Sequence, residues 1–199
     1  MPDAPLDSLS SAGSDWVELS DDLLASPAGA EWKQLTDEFE PLQHNEGRDM
    51  VEWLRAGVRD AHMPCPTYAM RDGDDLLGFF AVERVELRIT AKSWPFFELR
   101  RRELRRRYRD LARGTQPALL LCAIARSHST EAGFGRALFE QAVGMALADK
   151  PIVAVCVKPA NERVAVLWSQ TYGFKEMEDP QEPGLLYFPV DPPPEAEWP

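Results

Sequence analysis

The chain has 199 residues, 44% of them hydrophobic, and a formal net charge of −11. That length suits one domain with extensions, and the acidic balance opposes general binding to nucleic acid. No apolar stretch approaches the roughly 18 residues of a membrane span. The start, MPDAPLDSLSSAGSD, has neither the basic nor the apolar region of a secretory signal, so the expectation is a soluble, cytoplasmic protein with no membrane partner.

Residues 1–30 read as a poorly ordered acidic extension, 31–190 as the folded domain, and 191–199, DPPPEAEWP, as a Pro-rich tail. From Asp49, DMVEWLRAGVRDAHM sets Met50, Trp53, Leu54, Gly57, Val58 and Ala61 on one face of an amphipathic helix, with Asp49 and Glu52 spaced as a capping box. TYAMRDGDDLLGFFAVERVELRI then reads as two strands joined at Asp72 and Gly73.

Residues 91–113 hold eight arginines and one lysine against three acids, a local +6 that leaves −17 for the remainder. The spacing predicts an arginine-rich helix between Pro95 and Gly114. Its run from Arg100 to Arg109 is either a solvated face or a contact for an RNA backbone, since the acidic remainder repels RNA elsewhere.

PALLLCAIARS is a continuous apolar run, expected as a strand buried on both faces. It leads into TEAGFGRALFEQAV, where Gly133 and Gly135 precede an apolar helix ending near Asp149 and Lys150. The first amides of a helix lack internal partners, and glycine lets an anion approach without a Cβ in the way. The amides of Glu131, Ala132, Gly133, Phe134 and Gly135 are therefore candidate phosphate ligands; the bland alternative is a tight strand-to-helix turn. The loop matches neither GxxxxGK[ST] nor GxGxxG, whose third position here is Leu138. PIVAVCV is a further buried strand, NERVAVLWSQTYGF a helix ending at Gly173, and FKEME with GLLYFPV the last two strands.

Cys65, Cys122 and Cys156 are odd in number and far apart, against a disulfide framework and a CxxC metal site, and are expected as buried thiols. His44, His62 and His128 show no ligand spacing, so no metal is implied.

TEAGFG after a buried strand resembles the [QR]xxGx[GA] signature of the GNAT acetyltransferase superfamily, with Thr130 in place of Gln or Arg. Asn161, Ala165, Gly173 and Phe174 fit the family pattern NxxAxxLYxxxGF once one extra residue is allowed. The front half, FEPLQHNEGRDMVEWLRAGVRDA and TYAMRDGDDLLGFFAV, is loosely similar in layout to the tRNA-acetylating toxin branch.

The resemblance implies an α/β fold: a mixed, mostly antiparallel central sheet with splayed fourth and fifth strands and helices on both faces. It implies that residues 31–190 form an acetyltransferase-like domain moving an acetyl group from acetyl-CoA directly to an amine. On that reading Ile124, Ala125 and Arg126 hold pantetheine through backbone bonds, the amides of Glu131 to Gly135 hold the pyrophosphate, Arg136 adds charge to a phosphate or is an exposed helix arginine, and Asn161 orients the cofactor or caps its own helix. The acceptor is a small molecule, a protein amine or an aminoacyl-tRNA, and a homodimer is left open. A protein of this fold that binds but does not catalyse is the alternative.

In the family a tyrosine on the last helix commonly protonates the departing thiolate. Counting forward from Asn161 places Trp168 there, and counting back from Gly173 places Ser169. Gly173 fixes the final helical turn, so Ser169 is the candidate acid and Trp168 a core residue. Glu83 and Glu86 fall on opposite faces of a regular strand, and neither is assigned as base.

Overall fold

The structure, a computed structural model of the chain, describes residues 14–42, 45–88, 115–149, 152, 154–177 and 183–190. In chain order the elements are β1 (Ser14–Glu18), α1 (Asp21–Ala25), α2 (Ala28–Glu38), α3 (Asn45–Arg59), β2 (Thr67–Asp72), β3 (Asp75–Arg88) and β4 (Thr115–Arg126). They continue as α4 (Phe134–Asp149), β5 (Ala154–Val157), α5 (Glu162–Tyr172), β6 (Lys175–Glu176) and β7 (Leu186–Pro189). The seven strands lie in the order β1-β2-β3-β4-β5-β7-β6. The ladders β1–β2, β2–β3, β5–β7 and β6–β7 are antiparallel and β4–β5 is parallel, which is the mixed, mostly antiparallel sheet expected. The arginine-rich helix expected through Arg100–Arg109 lies outside the described residues.

The chain divides into two compact units, Met1–Val82 with Ala123–Ala142, and Glu83–Cys122 with Val143–Pro199. In the first, Leu19, Trp32, Leu35, Phe39, Val51, Leu54, Val58, Phe79 and Ala123 share one buried core. The α2 face follows from Trp32, Leu35, Thr36 and Phe39, an i, i+3, i+4, i+7 series that is buried throughout. Arg55 of α3 joins the end of α2: Nε donates to the Thr36 carbonyl at 3.0 Å, and Nη2 donates to those of Asp37 at 2.8 Å and Phe39 at 3.3 Å. A helix terminus leaves such carbonyls without helical donors, and a cation there is favoured by the dipole.

Two expectations for this unit are corrected. Residues 14–30, expected within the poorly ordered acidic extension 1–30, instead form β1, α1 and the start of α2. Leu19 and Leu24 of this segment are buried, and the Leu19 N–H donates to Thr67 C=O at 2.8 Å, so apolar anchors outweigh the surrounding acids. The Asp49–Glu52 capping box is also overturned, because α3 begins at Asn45 and Asp49 lies inside it.

In the second unit, Leu87, Ala118, Ala154, Cys156, Met177, Leu185 and Tyr187 form a separate core. Asn161 caps α5, its side chain accepting from the Val164 N–H at 3.0 Å. At the other end Gly173, with φ +75°, sends its N–H to the Trp168 carbonyl, where the Phe174 N–H also arrives at 3.2 Å. Such a left-handed turn suits glycine and closes the helix where the sequence placed its end.

β4 is not buried on both faces as expected from its apolar run. Leu119, Leu121 and Ala123 are buried, whereas Leu120 and Ile124 are half-buried and Cys122 is exposed. The alternation of a strand governs burial here despite the uniform composition. The expectation of buried thiols holds for Cys156 alone, with Cys65 intermediate and Cys122 exposed.

Candidate functional site

Strand alternation decides what the end of β4 offers. The Ser127 N–H donates to Leu77 C=O at 2.8 Å, and the Ala125 carbonyl lies 2.9 Å from where a Cβ on Gly78 would stand, so the backbone groups of Ala125 and Ser127 face β3. Those of Ile124 and Arg126 face the opposite edge. There the Leu42 N–H donates to Arg126 C=O at 3.0 Å and the His128 N–H to Glu40 C=O at 3.0 Å, an antiparallel bridge between Pro41 and Ser127.

The parallel ladder with β5 ends at Leu121↔Val157, while β4 runs on to Arg126. The three residues expected to hold pantetheine are thus divided. Ile124 presents its backbone on the edge away from β3, Ala125 faces β3, and Arg126 has its carbonyl occupied by Leu42.

Beyond β4 the loop folds on itself. Ser127, only 6% exposed, accepts at its carbonyl from Thr130 Oγ1 at 2.7 Å and from the Thr130 N–H at 3.3 Å, and its hydroxyl lies 2.9 Å from that of Ser129. The Arg126 side chain turns back under this loop. Its Nη1 donates to the carbonyl of Thr130 at 2.9 Å, to Thr130 Oγ1 at 3.1 Å and to the carbonyl of Glu131 at 3.1 Å. Glu131 C=O also receives the Phe134 N–H at 3.3 Å.

Gly133 immediately precedes α4, its carbonyl accepting from the N–H groups of Arg136 at 2.9 Å and Ala137 at 3.2 Å. Its φ of +96° is a conformation that few other residues adopt, and a Cβ built there would meet nothing within 4 Å. Glu131, Ala132 and Gly133 are exposed, and Phe134 and Gly135 are half-buried. Arg136, expected to face a phosphate, is exposed and pairs along its own helix with Glu140 at 2.9 Å.

Gly78 holds the loop against the sheet. A Cβ there would stand 2.6 Å from Leu138 Cδ1 and 3.2 Å from Phe134 Cε1, so its bare Cα lets the first turns of α4 lie directly on β3. Neither this contact nor the Arg126 brace was foreseen from the sequence. A glycine among apolar strand residues, in LLGFF, was the available sign of a close approach.

On α5 of the second unit, Trp168 is buried at 8% exposure and packs against Tyr172 and Phe174, with ring centroids 4.8 and 5.0 Å away. Ser169 is exposed and Tyr172 half-buried. Asn161 serves as the helix cap, one of its two expected roles. Glu83 and Glu86 are both exposed.

No protein-family model matches the sequence, and no curated protein matches it. Solved structures do. AtaT complexed with acetyl-methionyl-tRNAfMet is 15% identical with a TM-score of 0.59, the match covering 88% of this chain and 94% of that one. A tyrosine-to-phenylalanine variant of the AtaT toxin, bound to the C-terminus of the antitoxin AtaR and acetyl-CoA, is 16% identical with a TM-score of 0.57, covering 88% and 92%. A KacTA–DNA complex is 17% identical with a TM-score of 0.56, again covering 88% and 92%. At these identities the likeness is one of fold. In fold, the chain resembles AtaT and KacT.

Proposed function

We propose that the chain is an acyl-CoA-dependent N-acetyltransferase, moving the acetyl group of acetyl-CoA directly to an amine. The observation that carries this reading is the loop at the end of β4: an exposed Gly133 at φ +96°, with open space among the described residues where its Cβ would stand, just before α4. Bare backbone beside a helix N-terminus favours a diphosphate. The same fold carries acetyl-CoA in AtaT.

The amides of Glu131 to Gly135 would hold the pyrophosphate, and the Ile124 backbone the pantetheine. Arg136, already paired with Glu140, is left as a surface residue. In the transfer, a nitrogen–carbon bond forms as the carbon–sulfur bond breaks, the amine loses a proton and the thiolate gains one. The Ser169 hydroxyl is the proposed donor to the sulfur, directly or through one water.

Isothermal titration with acetyl-CoA tests the reading. Saturable binding by the parent and its loss in Gly133→Glu, which sets a carboxylate where the phosphates would lie, are the expected results. Absence of binding at millimolar acetyl-CoA would overturn it.

The acceptor class has one specific support. AtaT was solved with acetyl-methionyl-tRNAfMet, and residues 91–113 concentrate the positive charge of an otherwise acidic chain. An aminoacyl-tRNA acceptor predicts growth arrest on expression, relieved by Gly133→Glu, and acetylation of charged tRNA in vitro. Cofactor binding without turnover on charged tRNA, small amines or proteins would instead make the chain a binding module.

A further inference from the structure

The family signature begins with Gln or Arg, and here that position is Thr130. Four residues earlier, the last residue of β4 reaches into the same place: Arg126 Nη1 donates to the carbonyls of both Thr130 and Glu131. Among the described residues no carboxylate pairs with this half-buried guanidinium.

A trans peptide is planar, with its C=O and N–H pointing in opposite directions. Among the described residues there are no cis bonds. The Thr130 carbonyl directed at Arg126 therefore sends the Glu131 N–H the other way, and the Glu131 carbonyl does the same for the Ala132 N–H. Two consecutive donors are turned together toward the side away from the guanidinium, on a stretch where Glu131, Ala132 and Gly133 are all exposed. Successive amides aimed to one side form an anion-binding nest, and a charge-assisted bond on each carbonyl polarises the attached N–H further.

We propose that Arg126 is the positioning residue of the diphosphate site: through its side chain it sets the two peptide planes whose amides receive the pyrophosphate of acetyl-CoA, and so takes over the place left by Thr130. The residue acts through the loop and not by touching the phosphates. This rests on the acetyl-CoA reading above. It replaces the expected role of the Arg126 backbone, whose carbonyl is held by Leu42.

The test compares the parent with Arg126→Gln and Arg126→Lys, using acetyl-CoA in calorimetry and inorganic pyrophosphate in amide-resolved nuclear magnetic resonance. In the parent, pyrophosphate shifts the Glu131 and Ala132 amide resonances. Arg126→Gln is expected to weaken acetyl-CoA about tenfold and to lose those two shifts while its remaining spectrum stays native. Arg126→Lys, which keeps one charged donor, falls between them and serves alone if the glutamine variant does not fold. If the parent binds acetyl-CoA and both variants bind it within about twofold of the parent, the positioning role fails and the acetyl-CoA reading stands. Retention of the Glu131 and Ala132 shifts in the variants overturns the role equally. Failure of the parent to bind either probe overturns the acetyl-CoA reading itself.

Discussion

Gly78 and Leu138 are in contact because Gly78 has no side chain: a Cβ would lie 2.6 Å from Leu138 Cδ1, with the Ala125 carbonyl at 2.9 Å. Gly78→Ala must displace α4 or distort β4, at a cost of about 1–3 kcal/mol. Urea unfolding should show that loss, and calorimetry should show weaker acetyl-CoA binding, because the displaced turn carries the loop. An alanine variant with parental stability and affinity would mean that α4 seats itself without this contact.

Arg55 gathers the carbonyls of Thr36, Asp37 and Phe39 at the end of α2. Arg55→Ala leaves them without these donors and is expected to cost about 2–3 kcal/mol in urea unfolding. Arg55→Lys should restore only part, since an ammonium lacks the planar fork. Its surface partner Glu52 adds little, and Glu52→Ala should change stability by less than about 1 kcal/mol.

Trp168 and Ser169 are neighbours with opposite expectations. Trp168→Ala should destabilise by about 3–5 kcal/mol through the cavity it leaves among Tyr172 and Phe174. Ser169 is exposed, and Ser169→Ala should leave the unfolding midpoint nearly unchanged. Once an acceptor is in hand, a fall in kcat at unchanged KM for acetyl-CoA would support the acid role, and an unchanged kcat would remove it.

Burial pushes the Cys156 thiol up from 9.0 to about 12. At about pH 8 its thiolate fraction is near one in ten thousand, so Ellman's reagent should spare it in the native protein and react with exposed Cys122. The linkage has a definite sign. A raised folded value contributes stability that is full below 9.0 and is lost as pH rises toward 12. Cys156→Ser should flatten that alkaline slope.

Asp21 behaves oppositely. A hydrogen bond with His62 and one from the Met63 N–H hold its carboxyl below the ordinary 3.8. Its contribution is present above 3.8 and is lost as pH falls through the lower folded value, so Asp21→Asn should reduce the acid dependence of unfolding in that range.

The central motif was legible because its signals are strong ones: an apolar strand-length run, Gly133, and a helix bounded by Asn161 and Gly173. The N-terminal elements were not. In SDWVELSDD the acids mask an alternation only five residues long, whose partners on β2 lie fifty or more positions away. Arg126 was hidden for a different reason. The resemblance drew attention to its backbone as a pantetheine contact, and only the folded-back loop reveals that its side chain reaches Thr130. The Arg136–Glu140 pair, by contrast, was legible as a four-residue spacing on one helix.

β1 and β6 stand at the two ends of the strand order, with five and two residues. A short terminal strand is a poor template for another chain, which guards against edge-to-edge aggregation. That protection at β2 resides in a segment whose composition looks dispensable. Deleting the chain through Glu18 would uncover the six residues of β2 as a new edge, open to pairing with another chain.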